Sequence, residues 1–202
     1  NEGDFVLVEE YLDEQMVQFN LKRTSNFEET KAVFSLPFKP KFDVILLDLT
    51  LPDCQGEQLI KEFFQLNPDA PVIVLTGFTD LAFAAKALSF GVSDYLLKDN
   101  LNGTVLYKSI IYSIERFKAI NNLVQSEKKY SSLFHLSPVP MFVIDYEGNN
   151  VVDANDAALK AYGYSKNEMI GMNLANLIDP VDCLEHSVHL SIFNCFSQSE
   201  TK

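Results

Sequence analysis

Positive charge is scarce in this chain: 16 Lys and Arg stand against 28 Asp and Glu, a formal charge of −12 over 202 residues. Phosphate backbones are gripped by clustered Lys and Arg, so this balance argues against nucleic acid and anionic membrane as direct partners. It leaves room for acidic sites that hold a divalent cation. Cysteine is also sparse, and Cys54, Cys183 and Cys195 are odd in number and widely spaced. They point to neither a disulfide framework nor a zinc site, and they fit a reducing cytoplasm. No apolar run approaches the roughly 20 residues of a membrane span, and the opening N-E-G-D is not a signal peptide. A soluble, cytoplasmic chain is expected. No P-loop, ATP site or histidine phosphoacceptor is recognisable. The hydrophobic fraction of 47% is that of a globular protein, long enough here for two small domains.

The most informative stretch is F-D-V-I-L-L-D-L-T-L-P-D, residues 42–53. Its apolar run is too short for a buried helix and reads as a central strand covered on both faces. Asp48 stands where the run stops. In open parallel α/β sheets the carboxyl edge collects ligands and chemistry, because loops there vary while the strands hold them rigidly. Residues 5–8 likewise read as a strand, ending on Glu9 and Glu10. Residues 27–34 could hold another strand, and Pro37 and Pro40 forbid a regular helix between them. Helical spacing follows at 57–66, a buried strand at 72–75 closing on Thr76, an Ala-rich helix at 80–90 with Thr79 as its N-cap, and a strand at 95–97 ending on Lys98. Alternating strand and helix implies a doubly wound parallel sheet.

Four strand ends therefore carry Glu9 and Glu10, Asp48, Thr76 and Lys98. Three carboxylates gathered together repel one another unless a hard cation sits among them, which suggests Mg2+ (or Mn2+). Asp48 would attack phosphorus to make an acyl phosphate, while the Thr76 hydroxyl and the Lys98 ammonium hold the remaining phosphoryl oxygens. In order and spacing, V-L-V-E-E, I-L-L-D-L-T-L-P-D, I-V-L-T-G and D-Y-L-L-K-D resemble the response-regulator receiver family over about residues 4–120. The resemblance implies a flavodoxin-like five-stranded sheet and makes Asp48 the phosphoacceptor, Thr76 the switch hydroxyl and Tyr95 the switch aromatic. It also implies Glu9, Glu10, Asp48 and the Thr50 backbone carbonyl as metal ligands. Three departures are visible: the acidic pair is Glu-Glu where Asp is usual, Lys98 is followed by Asp99 where Pro is common, and the interval from Glu10 to Asp48 is short. Either the second helix is reduced to S-L-P-F-K-P-K or residues are missing from that interval.

Residues 105–124 form a long helical segment in which Ile110, Ile114, Phe117 and Val124 step in the heptad rhythm of a two-stranded seam, with Asn121 on the same stripe. The alternative is that Ile110 and Ile114 face the core of the first domain. Beyond it, strands at 141–144 and 151–154 flank the turn Y-E-G-N-N, a short helix spans 155–162, and Ser165 and Glu168 have capping-box spacing. Together with S-P-V-P-M-F-V-I-D and V-D-A-N-D-A-A-L-K-A-Y-G-Y, this α+β region resembles the front half of a PAS domain. At 73 residues it is expected to be incomplete. His135, His186 and His189 are read as surface or packing residues, so no cofactor is assigned and a PAS ligand is left unknown.

The expected organisation is a receiver at 1–120, a connector helix at 105–129 and the PAS portion at 130–202. The expected function is acceptance of a phosphoryl group from the phosphohistidine of a kinase or phosphotransfer protein, in a homodimer joined through the connector. The parent chain could be a sensor or hybrid histidine kinase. Two rivals remain: a haloacid-dehalogenase-like phosphatase with Asp48 as nucleophile, in which Thr50 stands where a second acid is usual, and a degenerate receiver that only docks.

Overall fold

Three short apolar runs, Ile45–Asp48 (β1), Val72–Thr76 (β2) and Asp94–Leu97 (β3), pair in parallel in the order β1-β2-β3. The register aligns Asp48 with Leu75 and Thr76 with Leu97, so the three carboxyl ends lie along one edge. β2 is the middle strand and is buried at all five positions, which is why its sequence shows no polar alternation. The computed structural model describes residues 2–15, 18–38, 40–77, 81–145 and 147–177. By its internal contacts the chain divides into two units that meet between Val124 and Gln125.

In the first unit, successive side chains of each strand point to opposite faces, and each face is covered by helices. Leu47, Val72 and Val74 meet Phe27 from Phe27–Phe34 (α2), then Leu59, Ile60 and Phe63 from Gly56–Phe64 (α3), and Ala87 from Leu81–Ser89 (α4). On the other face Ile73, Leu75 and Leu96 meet Val8 and Leu12 from Glu2–Gln15 (α1), and Leu106 and Ile110 from Gly103–His135 (α5). Leu59, Ile60 and Phe63 are almost wholly removed from water. Each such side chain contributes about 1.5–3 kcal/mol of burial energy.

Two expected strands are helices. Residues 5–8 lie inside α1, where Val8 and Leu12, four apart, face the core while Val6 and Leu7 are exposed. That is a helical period, and the β-rich run F-V-L-V conceals it. Residues 27–34 form α2, whose start is capped twice. Asn26 accepts from the Glu29 N–H at 2.8 Å, and Asp53, from the loop after β1, accepts from the Phe27 and Glu28 N–H groups at 2.9 Å each. Three of the donors that a helix start leaves without partners are thereby satisfied. The Phe27 and Glu28 bonds also hold the Asp53 carboxyl below its ordinary pKa. So the second helix is not reduced to the S-L-P-F-K-P-K stretch. The described residues form three of the five expected parallel strands.

α5 runs for 33 residues, past the expected end of the connector at 129. Ile110 is buried and Ile114 packs beside it in the first unit's core, which removes both from the proposed seam. In the second unit Phe142–Ile144 (β4) and Val151–Ala154 (β5) form an antiparallel hairpin. Asp156–Tyr162 (α6) and Lys166–Met169 (α7) pack on it through Ala158 and Met169, and the capping box between Ser165 and Glu168 is present.

Asn155 ties this unit together from a fully buried position. Its side-chain N–H2 donates to the carbonyls of Phe134 at 3.0 Å and Val139 at 2.8 Å. Its side-chain oxygen accepts from the N–H groups of Met141 at 3.0 Å and Ala158 at 2.9 Å. One amide thus caps α6 and joins it to the end of α5 and the start of β4.

Candidate functional site

The carboxyl edge of the first unit's sheet is where the strand-end residues meet. Asp48 closes β1 and keeps its carboxylate half-sheltered. One oxygen accepts from the Thr50 N–H at 2.9 Å and the Thr50 hydroxyl at 2.8 Å. The other accepts from the Lys98 ammonium at 2.8 Å. Burial pushes the Asp48 pKa upward, but the bonds from Lys98 and Thr50 outweigh it and hold the carboxyl below the ordinary carboxylate value. Thr76, at the end of β2, is completely buried. Tyr95 on β3 is half-buried on the α4 side of the sheet, its ring centroid 6.3 Å from that of Phe83.

Lys98 carries the positive charge of this edge and serves two carboxylates. Besides Asp48, it donates to Asp4 at 2.7 Å. Burial acts to lower the Lys98 pKa, and the hydrogen bonds and charges of Asp4 and Asp48 overcome that effect and raise it. Asp4 lies in the first turns of α1, so a search of strand ends passes over it.

Glu9 and Glu10 sit on exposed positions of that helix, not at a strand end. Among the described residues there is no cluster of three or more His, Cys, Asp or Glu side chains suited to a metal ion. Glu9 and Glu10 are thus not brought together with Asp48 and Thr50 among the described residues. At Asp48 it is a lysine ammonium that faces the paired carboxylates. Thr50 bonds Asp48 through its N–H and hydroxyl, so the position that a dehalogenase-like phosphatase would give to a second acid holds a donor.

The paired charges make a pH-dependent contribution to stability. Asp48 has a lowered folded-state pKa, so its contribution is present above about pH 4, the unfolded value, and disappears as pH falls through the lower folded value. Lys98 has a raised one, so its contribution is complete below about pH 10 and disappears as pH rises through the folded value. The melting temperature of Lys98→Met is therefore expected to fall furthest below wild type near neutrality. The two should converge in strong acid and strong alkali, and a constant gap at all pH values would contradict the pairing.

The sequence profile of the response regulator receiver domain matches residues 4–110, and that of the PAS domain matches residues 128–195. The first match takes in more than half of the chain, and the chain belongs to the receiver family, with a PAS domain following. Among curated relatives, the transcriptional regulatory protein ZraR of Escherichia coli K12 is 37% identical over 68 residues, which are 32% of this chain and 15% of that protein. The uncharacterized transcriptional regulatory protein YhcZ of Bacillus subtilis 168 is 42% identical over 59 residues, 29% of this chain and 28% of that one. The chain thus spans well under two thirds of either. The fold is shared with the signal receiver domain of an HD domain-containing protein from Pseudomonas fluorescens Pf-5, at a TM-score of 0.50 and 21% identity, over 59% of this chain and 91% of that one.

In the second unit, His135 ends α5 and meets the Phe134 ring edge-on at 5.0 Å. His186, His189, Cys183 and Cys195 lie outside the described residues, as do Thr79 and Asp80. No described helix is long and apolar enough to cross a membrane.

Proposed function

We propose that Asp48 accepts a phosphoryl group from the phosphohistidine of a partner kinase or phosphotransfer protein, and that the receiver, residues 1–120, changes its surface in response. The observation that carries this reading is the Lys98 ammonium held 2.8 Å from Asp48 at the carboxyl edge of the sheet. An Asp48 oxygen forms a bond to phosphorus while the phosphorus–nitrogen bond to the donor histidine breaks, the imidazole leaving with the electron pair. Lys98 offsets the negative charge brought by the phosphoryl oxygens, and the Thr76 hydroxyl supplies a hydrogen bond to one of them. Thr50 supports Asp48 by holding its other oxygen and so fixes the carboxylate plane.

Inward movement of Thr76 would free space that the Tyr95 ring can enter, which makes the face of α4 and β3 the output surface. With and without a beryllofluoride mimic, the Tyr95 ring is expected to occupy different rotamers, read by crystallography or aromatic NMR. An identical rotamer in both states would contradict this route.

Receiver domains generally bind Mg2+ at their acidic site. Intact mass after incubation with acetyl phosphate and Mg2+, with and without chelator, tests phosphoryl acceptance. The expected result is one added phosphoryl group that hydroxylamine removes. No uptake under either condition would refute the proposal. The connector at 105–129 would then pass the receiver's state to the PAS portion at 130–202. A dimer formed by α5 would use its exposed apolar residues, Ile120, Leu123, Tyr130 and Leu133, which replace Ile110 and Ile114 in the seam. Sedimentation of wild type and Leu123→Asp tests it: a monomer at high concentration in both removes the dimer.

A further inference from the structure

We propose that Asp4 is a positioning residue for the chemistry at Asp48, one that shares the Lys98 ammonium and slows the arrival of the phosphoryl group. The proposal rests on the reading of Asp48 as phosphoacceptor and adds a residue from outside the strand ends. Lys98 Nζ lies 2.7 Å from Asp4 Oδ2 and 2.8 Å from Asp48 Oδ2, with the three side chains only 31%, 21% and 16% exposed for Asp4, Lys98 and Asp48. Charges this sheltered interact more strongly than surface pairs do. Two carboxylates and one ammonium leave a net negative charge where an anionic donor must approach.

Asp4 is held in place by more than its ion pair. α1 is packed through Val8 and Leu12 against Leu106 and Ile110, and the Tyr11 hydroxyl donates to the Leu101 carbonyl at 3.2 Å, three residues beyond Lys98. Gly103, at the start of α5, also approaches α1 closely: a β-carbon there would lie 3.3 Å from the Tyr11 carbonyl oxygen. The helix cannot drift away from the sheet edge without breaking these contacts. The carboxylate of Asp4 is therefore a fixed competitor for Lys98.

With acetyl phosphate as donor, an Asp48 oxygen bonds to phosphorus, the phosphorus–oxygen bond to acetate breaks, and acetate leaves with the electron pair. Each transfer brings anionic oxygens to Lys98, which must give up part of its hold on Asp4. Deleting the Asp4 charge removes both a like charge and a rival acceptor. Asp4→Asn preserves size and an oxygen that can still accept from Lys98, so it isolates the charge.

The test measures the initial rate of phosphoryl gain by intact mass, for wild type, Asp4→Asn and Asp4→Glu, at low and high salt. Asp4→Asn is expected to be several-fold faster than wild type at low salt. Its advantage should shrink as the screening length contracts from about 10 Å at 0.1 M to about 3 Å at 1 M. Asp4→Glu should restore the slow rate. A carboxylate that merely supported α1 would alter melting but not this salt-dependent rate. An Asp4→Asn rate equal to or below wild type at low salt would overturn the proposal. A thermal double-mutant cycle between Asp4→Asn and Lys98→Met probes the pairing without any need for phosphorylation. Non-additive melting shifts are expected, and additive ones would overturn the pairing. Absence of uptake by wild type would refute the phosphoacceptor reading, while the cycle still judges Asp4 by itself.

Discussion

Asp48→Asn is expected to reduce phosphoryl gain from acetyl phosphate to background while leaving the protein folded. An amide oxygen is not an ionised nucleophile, so no acyl phosphate can form at this position. The fold should persist because the single oxygen of the substituted amide can still accept from Lys98 or from the Thr50 N–H, and Lys98 keeps its bond to Asp4. Intact mass reads the loss, and an unchanged circular dichroism spectrum excludes unfolding as its cause. Residual uptake at the wild-type level would mean that another side chain is the acceptor. Lys98→Ala makes a different change, since it leaves the nucleophile and removes the cation. Uptake should be slowed but detectable, and the Tyr95 ring should no longer respond to phosphorylation.

Asn155→Ala is expected to be the most destabilising single change in the second unit. The substitution removes a helix cap and leaves the carbonyls of Phe134 and Val139 and the N–H of Met141 without their partner. A lost cap costs about 1 kcal/mol and the buried Phe134 carbonyl left unsatisfied about 1–3 kcal/mol, while water reaches the partly buried Val139 and Met141 groups, so a total of about 2–4 kcal/mol is expected. Asn155→Asp should recover part of it, because the carboxylate still accepts from Met141 and Ala158 but donates to neither carbonyl. Hydrogen exchange gives a local readout: amides of β4 and β5 should lose protection while those of β2 keep theirs. Unchanged protection in β4 and β5 would show that the side-chain network is dispensable.

The legible parts of the chain are those where one physical cause dominates. β1, β2 and β3 are short and covered on both faces, so their apolar runs announce them without any period, and Asp48, Thr76 and Lys98 fall where each run stops. The capping box of α7 is equally plain because it depends on two residues at fixed spacing. α1 reads as a strand because F-V-L-V satisfies a strand's preference for β-branched and aromatic residues. The informative positions, Val8 and Leu12, are spaced by four and lie partly outside that run.

The same ambiguity places Glu9 and Glu10 at a strand end and conceals Asp4. The cue to Asp4 exists only when the stretch is read as a helix with an acid one turn before its first buried residue. α2 does carry a signal, since Asn26 and Glu29 have capping spacing and Ser25 N–H donates to the Glu29 carboxylate at 2.7 Å. Asp53 carries none, because its contact with α2 joins residues 25 and 26 positions apart in sequence. Asn155 is a helix cap and not the first residue inside the helix, and an Asn before D-A-A-L is a recognisable start signal.

The phosphoacceptor assignment is tested most directly by mapping the added phosphoryl group to a residue in the wild-type chain after incubation with acetyl phosphate and Mg2+. Tandem mass spectrometry of the proteolysed protein, after trapping of the acyl phosphate by hydroxylamine or borohydride, gives the position. The modification is expected at Asp48, the last residue of β1, and at no other residue. Phosphate carried by any other side chain, or none carried at all, would contradict the assignment.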